Sequence, residues 1–320
     1  MYTDMKLNLY KYLAATFAAL MALTLGACGQ GDSVSVKVAD ARARNDGPAL
    51  WKVTDHDSTL YLFGTVHLLP DEADWQRRDM QAAFDEVGTI YFEVPDGDKA
   101  NFEASVLQTR YGRYESGERL SDHLDGLAQK RLMAAAYNVD IQPTALEFFK
   151  PWIVADMLSL AAAEAEGLLP ENSADAVLRL KARKAKKVIK SLDDMKTYIE
   201  AVALLPDGVQ IRSLEDTIKN FDAIGSDIKT VNAAWIVGNT DVLISDMMEP
   251  AKVKSPEMFA TLFTKRNAKW VNTLDAFMQG DDNAMVVVGI GHLLGEDGLP
   301  ERLKEQGYTV ERVRRFDLPN

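Results

Sequence analysis

Two histidines of this chain lie in short segments that nearly repeat each other, more than two hundred residues apart. The first segment, residues 62–69, reads LFGTVHLL, and the second, residues 288–294, reads VGIGHLL. In both, a glycine precedes the histidine by three residues, although the chain has only four histidines. Imidazole binds metal ions and transfers protons near neutral pH. We therefore predict that His67 and His292 belong to one divided active site.

Two acidic residues follow predicted strands in the same way as the two histidines. Glu93 follows the strand predicted over residues 89–92, and Asp193 follows the one predicted over 188–192. Side chains at the carboxyl ends of strands in an open α/β sheet converge on one site. Two imidazoles with one or two carboxylates suit a divalent ion such as Zn²⁺, Mn²⁺ or Co²⁺. Such an ion activates water and polarises a carbonyl, and a further carboxylate could take the water's proton.

Each of these residues also has a purely structural interpretation, because a histidine or an acid after a strand can simply cap backbone groups. The repeat of the motif favours a shared site for His67 and His292. By contrast, His56 in a polar turn and His123 at a predicted helix start are expected at the surface. The sequence contains no HExxH, GxSxG or GxxxxGK motif. A metallohydrolase of this sequence would therefore have dispersed ligands.

The elements that must position these residues alternate between strands and helices. Hydrophobic periodicity predicts a hairpin, a helix and a strand at the N-terminal side, over residues 50–53, 59–63, 74–87 and 89–92. It predicts a strand, a helix and a final strand at the C-terminal side, over residues 284–288, 298–306 and 308–313. The expected fold is α/β (α+β), with a central mixed β-sheet flanked by helices.

A large helical insertion is predicted between the N- and C-terminal strand units, over residues of about 99–280. Its helices are expected over 121–138, 144–165, 173–183 and 264–279, the first three capped by Ser121, Thr144 and Ser173. Phe148, Trp152 and Leu158 occupy apolar positions of the second helix. The strand over 188–192 lies within this insertion.

The N-terminal residues resemble a bacterial lipoprotein signal. A basic start with Lys6 and Lys11 precedes an apolar stretch that ends in LGAC, and Cys28 is the single cysteine of the chain. We predict a signal peptide over 1–27, lipidation of Cys28, a flexible tether over 28–45 and a folded domain over 46–320. An ordinary signal peptide or a transmembrane anchor is the alternative. Gly29 follows the cysteine, and by resemblance to other lipoproteins a glycine there favours the outer membrane as the location of the protein.

Cysteine usage and charge exclude other classes of function. With Cys28 lipidated, no disulfide and no cysteine metal site can form. The formal net charge of −12 argues against nucleic acid as a partner.

Segments at both ends of the domain resemble the TraB/GumN family. The N-terminal segments are LWKV at 50–53, YLFGTVH at 61–67 and YFE at 91–93. The C-terminal ones are Arg266-Asn267, VVGIGHL at 287–293, GEDGL at 295–299 and GYTV at 307–310. The resemblance runs from about residue 48 to 313, with specific ends and a generic helical middle. The paired GxxH motifs with a glutamate between them are the mark of the family.

The family includes the animal Tiki proteins, which are membrane-tethered metalloproteases that inactivate Wnt. It is similar in fold to the erythromycin-esterase and ChaN-like proteins. The resemblance implies a metal-dependent, peptidase-like site with His67, Glu93 and His292 as metal ligands. It implies catalytic roles for Glu93, Asp193, Arg266 and Asn267, with Arg266 stabilising an anion or oxyanion. Asp175 falls where members often carry an aspartate, whereas Asp193 stands where glutamate is usual, so its role as ligand, base or structural residue stays open.

The sequence therefore predicts a lipid-anchored envelope hydrolase that acts on a peptide or protein substrate with a divalent metal. Two alternatives stay open. One is a non-catalytic envelope protein that binds a peptide, haem or metal. The other is a metal-independent, esterase-like hydrolase that uses a histidine and a carboxylate.

Overall fold

The structure is a computed structural model that describes residues 46–314. The predicted signal peptide, the lipidation site Cys28 and the tether lie outside the described residues, as do residues 315–320. Within residues 46–314, no helix is both long enough and apolar enough to span a bilayer.

A mixed six-stranded sheet in the order β4-β3-β5-β2-β1-β6 organises the fold. Its strands are β1 (Leu50–Thr54), β2 (Thr59–Thr65), β3 (Thr89–Phe92), β4 (Val188–Ser191), β5 (Asn283–Gly289) and β6 (Thr309–Arg312). Strands β2, β5, β3 and β4 are parallel, and β1 is antiparallel to both β2 and β6. The predicted α/β class with a mixed sheet is confirmed. The carboxyl ends of four parallel strands therefore meet at one edge.

The two central strands of the sheet carry the two GxxH motifs. Residues 284–289 of β5 and 60–65 of β2 are buried throughout. A parallel strand covered on both faces is expected to be a continuous apolar run rich in β-branched residues, as the three valines 286–288 are. The edge strands β4 and β6 instead alternate between exposed and half-buried positions. Both histidine turns therefore follow buried strands at the centre of the sheet.

Helices occupy most of the remaining described chain. They are α1 (Arg78–Glu86), α2 (Asp98–Tyr111), α3 (Gly126–Asn138), α4 (Pro143–Leu146), α5 (Pro151–Ala165), α6 (Ala174–Lys184), α7 (Met195–Ala203), α8 (Asp207–Lys219), α9 (Ile224–Ile236), α10 (Thr240–Leu243), α11 (Glu249–Lys254), α12 (Pro256–Phe259), α13 (Lys265–Met278) and α14 (Leu299–Glu305). Two π-helical turns, Ile244–Met248 and Ala260–Thr264, interrupt them. The second turn runs directly into α13, which carries Arg266 and Asn267. Such turns are frequent next to functional residues.

The insertion between β3 and β5 is mostly helical, but it also contributes β4 to the sheet edge. The single helix predicted over 144–165 is wrong, because the chain breaks between α4 and α5. Pro151 stands at the first position of α5, where its missing N–H is harmless, whereas inside a longer helix it would remove a hydrogen bond. Phe148 lies in the break and is 56% exposed, so its predicted core position is also wrong.

Two predicted helix starts were too early, and one predicted cap is confirmed. Asp125 rather than Ser121 caps α3, accepting from the amides of residues 127 and 128 at 2.9 and 2.7 Å. Helix α1 begins at Arg78, because Trp75 instead packs in an aromatic cluster with Phe63 and Trp235. Ser173 caps α6 as predicted, with its Oγ accepting from an amide at 3.1 Å.

Candidate active site at the strand ends

The two GxxH segments pack directly against each other at the carboxyl ends of β2 and β5. Residue 64 pairs with residue 288 in the parallel register. A Cβ on Gly64 would lie 2.4 Å from Cδ1 of Ile290, which belongs to the second motif. A side chain at residue 64 would therefore displace the side chain of Ile290 and crowd its Cα, which would lie 3.2 Å from the added Cβ. The near-repeat in the sequence thus reflects two histidine segments at the ends of adjacent strands, of which the second is a 3-10 helical turn over Ile290–Leu293 and the first is not helical.

His67 is oriented by Asp175, in the first turn of α6. Its Nδ1 lies 3.0 Å from Oδ2 of Asp175, and the hydroxyl of Thr65 donates to Oδ1 at 2.8 Å. Since a carboxylate accepts, the imidazole donates through Nδ1–H, which leaves Nε2 available as an acceptor or ligand when the ring is neutral. Burial lowers the pKa of His67, but the carboxylate of Asp175 and the charge of Glu93 outweigh burial and raise the pKa to about 9.

His292 is deeply buried and oriented by Asn267. Its Nδ1 lies 2.6 Å from Oδ1 of Asn267, whose Nδ2 donates to the carbonyls of residues 292 and 297 at 3.2 and 2.8 Å. The amide is thereby oriented with its oxygen towards the ring, so His292 donates through Nδ1 and accepts at Nε2. The ring packs between Trp270 and Phe263, with centroids 4.4 and 5.1 Å away. Burial, with the charges of Arg266 and His67, lowers the pKa of His292 to about 3.

Arg266 links the acidic residues of the site to His292. Its Nη2 donates to Glu93 at 2.7 Å, its Nε to Asp193 at 2.9 Å, and its Nη1 lies 3.2 Å from Nε2 of His292. The side chain of Asp193 is fully buried, and its second oxygen accepts from Lys269 at 2.8 Å. These contacts place Asp193 as a counter-ion of Arg266. They use each guanidinium nitrogen within the protein.

Glu93 lies between Arg266 and the second GxxH turn. Its Oε1 accepts from the amide of Gly289 at 2.7 Å, and its Oε2 is 3.7 Å from Nε2 of His292. Burial raises the pKa of this carboxyl. The charge of Arg266, reinforced by His67 and the Gly289 amide, overcomes that effect and holds the pKa well below its usual range. Glu93 is therefore ionised at neutral pH and supplies a buried negative charge.

The structure brings Glu93, Asp193 and His292 together around Arg266, with Asn267 on the far side of His292, and the charges of His67 and Glu93 act on each other across the site. It does not close His67, Glu93 and His292 into a compact ligand set. Within residues 46–314, the one group of three potential ligand atoms within 4.8 Å of one another is Asp55, His56 and Asp57 in an exposed turn. The side chain of His56 is exposed, as expected, whereas that of His123 is only 26% exposed.

Comparison with known proteins places this arrangement in a family. The family model described as TraB/PrgY/gumN matches residues 49–312, a range that contains both GxxH motifs, Glu93 and Arg266. The chain belongs to the TraB/PrgY/gumN family. It is 23% identical over 206 residues to the uncharacterized protein YbaP of Escherichia coli K12 and, equally, to YbaP of Shigella flexneri. These alignments cover 63% of this chain and 74% of each relative. No solved structure matches.

Several site residues of this TraB/PrgY/gumN-family chain could not be predicted from the ends of the strands, because they do not follow a strand. Lys269, three residues after Arg266, could have been found from helix spacing, because such positions share a face. Phe263 and Trp270 flank His292 but are indistinguishable in sequence from ordinary core aromatics. Asp175 is suggested by family resemblance alone. An aspartate at the start of a helix does not show in the sequence which distant histidine it contacts.

The two histidines predict a stability maximum near pH 6.5 for the metal-free protein. His67, with its folded pKa raised to about 9, contributes stability that is full below pH 6.5 and is lost as the pH rises through 9. His292, with its folded pKa lowered to about 3, makes stability fall as the pH drops from 6.5 towards 3. Urea unfolding across this range should show an alkaline loss of about 3 kcal/mol. His67→Asn should flatten the alkaline limb and His292→Asn the acid limb; unchanged limbs would contradict the assignment.

Proposed function

We propose that this chain is a metal-dependent hydrolase whose site uses Nε2 of His67, Nε2 of His292 and the carboxylate of Glu93. One observation carries the proposal. Both imidazoles have Nδ1 engaged, by Asp175 and by Asn267, so Nε2 is the ring nitrogen that each turns towards a ligand, and a metal at Nε2 of His292 would replace its contact with Arg266. A hydrogen bond from the second ring nitrogen is the usual companion of a metal-binding histidine.

The donor chemistry fits a divalent ion such as Zn²⁺, Mn²⁺ or Co²⁺, since two imidazoles and an ionised carboxylate are ligands that these ions share, and binding would displace the proton that His67 holds at neutral pH. Such an ion would supply Lewis acidity, lowering the pKa of water and polarising a carbonyl. Asp175 and Asn267 set the orientation of the two imidazoles. Arg266 and the Gly289 amide keep Glu93 ionised. Because the guanidinium nitrogens of Arg266 are already engaged, its contacts favour holding the carboxylates over direct contact with a substrate oxyanion.

A peptide or protein is the substrate class that we propose, by extension from the family resemblance. A small cavity of about 60 Å³ against Phe263 supports this choice. Its apolar wall includes Met258, Phe259 and Phe263, and the ring of Phe263 packs on His292. Such a space would accept an apolar side chain next to the reacting group. We further propose that Cys28 carries the lipid that anchors the protein to the bacterial envelope, at the outer membrane.

A metal-independent hydrolase is the second candidate, and the contacts of Arg266 favour it. In the described structure Arg266 occupies Oε2 of Glu93 and Nε2 of His292, which are two of the three proposed ligand atoms. In this alternative the buried guanidinium takes the electrostatic place of the ion. In its neutral form His67, paired with Asp175, would then take the proton of the attacking water, and because its pKa is raised to about 9 this activity should rise as the pH approaches 9. A non-catalytic binding protein would bind ligand without turning it over.

Metal analysis of purified protein separates these candidates. We expect about one equivalent of divalent metal in the wild-type protein, measured by mass spectrometry, and its loss in His67→Ala and in His292→Ala. The other two histidines are matched controls: His56→Ala and His123→Ala should keep the metal. Because His56 belongs to the exposed cluster with Asp55 and Asp57, loss of metal only in His56→Ala would point to that turn. Unchanged metal content in both site variants would contradict the proposal.

A further inference from the structure

Two buried donors on helix α9 hold the backbone on either side of the first histidine turn. Nδ2 of Asn232 donates to the carbonyl of Leu68 at 2.8 Å, and Nε1 of Trp235 donates to the carbonyl of Gly64 at 2.8 Å. Three residues apart on one helix, the two donors share a face. The segment that they hold contains His67. Side chains of the helical insertion therefore hold the backbone of the strand-end site.

Other contacts hold the same segment through backbone alone. The carbonyl of Val66 accepts from the amide of Ala174 at 3.3 Å, and Leu69 exchanges two backbone hydrogen bonds with Leu169. The side chain of His67 itself has one hydrogen-bonding partner among these contacts, Asp175. The direction of the imidazole thus depends on how firmly the backbone next to it is fixed.

Burying the polar side chain of Asn232 lowers the stability of the fold unless its hydrogen bond offsets that cost. It is 4% exposed on a helix whose buried neighbours are apolar, and burying an amide costs free energy that only a well-made hydrogen bond offsets. Packing alone would favour Leu at this position, which has a similar volume. Trp235 differs, because its ring also fills the aromatic cluster with Phe63 and Trp75. The polar group of Asn232 is therefore best explained by its bond to the residue next to His67.

We propose that Asn232 is a positioning residue for His67. Through the carbonyl of Leu68, its amide keeps the imidazole within reach of Asp175, so that Nε2 stays directed into the site. The inference rests on the proposed function, because that function is what gives His67 its role in the site. The positioning itself is measurable without turnover and without metal.

The test measures how often the bond between His67 and Asp175 opens, as the exchange rate of the Nδ1 proton of His67 with water in metal-free protein. With only four histidines, nuclear magnetic resonance can assign this proton. Asn232→Leu should raise the exchange rate at least about tenfold, because the unanchored turn lets the bond open more often. The matched control is Gln210→Leu, since Gln210 is also a buried amide, donating to the carbonyls of residues 203 and 205 at 3.2 and 2.8 Å.

The control separates positioning from general stability, because both variants lose a buried amide but only Asn232 contacts the turn. Equal exchange rates in Asn232→Leu and wild type, or an equal rise in Gln210→Leu, would overturn the proposal. If Asn232→Leu does not fold, Trp235→Phe removes the donor to Gly64 and keeps an aromatic ring. It should raise the exchange rate in the same direction, and an unchanged rate there would count against the proposal.

A second measurement distinguishes failure of the positioning from failure of the proposed function. In competition with a chelator, Zn²⁺ should bind Asn232→Leu about 10–100-fold more weakly than the wild type, as for other changes behind a metal-binding histidine. Faster proton exchange with unchanged Zn²⁺ affinity would support the positioning of His67 by Asn232. It would contradict the proposed role of His67 as a metal ligand.

Discussion

Replacing Arg266 by Met is expected to lower the free energy of unfolding by about 3–5 kcal/mol. Arg266 is 7% exposed and pairs with Glu93 and Asp193. Its removal leaves two carboxylates at a buried strand edge with their main cation gone, although Lys269 still reaches Asp193. Urea unfolding monitored by tryptophan fluorescence would measure the change.

The control for this prediction is an ion pair of the same type at the surface. Arg183 pairs with Asp96, but its side chain is 51% exposed, so Arg183→Met should cost no more than about 1 kcal/mol. Adding Glu93→Gln to Arg266→Met should recover part of the lost stability, because the neutral amide removes one unpaired buried charge. A loss below about 1 kcal/mol in Arg266→Met would show that water or a rearranged side chain compensates the carboxylates.

Glu93→Gln is expected to have the largest effect on the proposed activity, reducing the proposed hydrolysis by at least about 100-fold. The substitution keeps the shape of the side chain but removes the negative charge that faces both histidines. The measurement compares turnover of a quenched fluorescent peptide library in the presence of Zn²⁺, Mn²⁺ or Co²⁺. Proposed metal binding should weaken in the same variant, because one anionic ligand is lost.

Glu86→Gln is the matched control for this variant. Glu86 also accepts a hydrogen bond from a partly buried group, the hydroxyl of Tyr61 at 2.7 Å, but it is the last residue of α1, before β3 begins, and its hydrogen bonds go to Tyr61 and Asn283 rather than to the site. Its turnover should equal that of the wild type. Comparable turnover in Glu93→Gln and wild type would rule out Glu93 as a ligand or as a catalytic charge.

The local patterns that encode the strands and their ends were readable from the sequence. The apolar runs of β2 and β5, each ended by a glycine turn with a histidine, predicted two buried strands with imidazoles at one edge. Glu93 and Asp193 followed from the same rule, since carboxyl ends of parallel strands share an edge. These features depend on neighbouring residues and on alternation of polarity, so they are carried by short stretches of chain.

Helix boundaries were less predictable, because competing local signals decide them. Ser121 and Asp125 are both good capping residues, and the fold uses Asp125. Pro151 can either kink a helix or begin one, and the choice follows from the break that exposes Phe148.

The sequence by itself determined an α/β chain of the TraB/PrgY/gumN family, with two histidine turns and two acids at strand ends. Only the tertiary structure decided which groups face each other. It assigned Asp175 to His67 and Asn267 to His292, and it set Arg266 between Glu93 and Asp193. The physical reason is that a strand-end motif depends on local periodicity. The partner of a buried charge is instead set by packing between segments up to 173 residues apart.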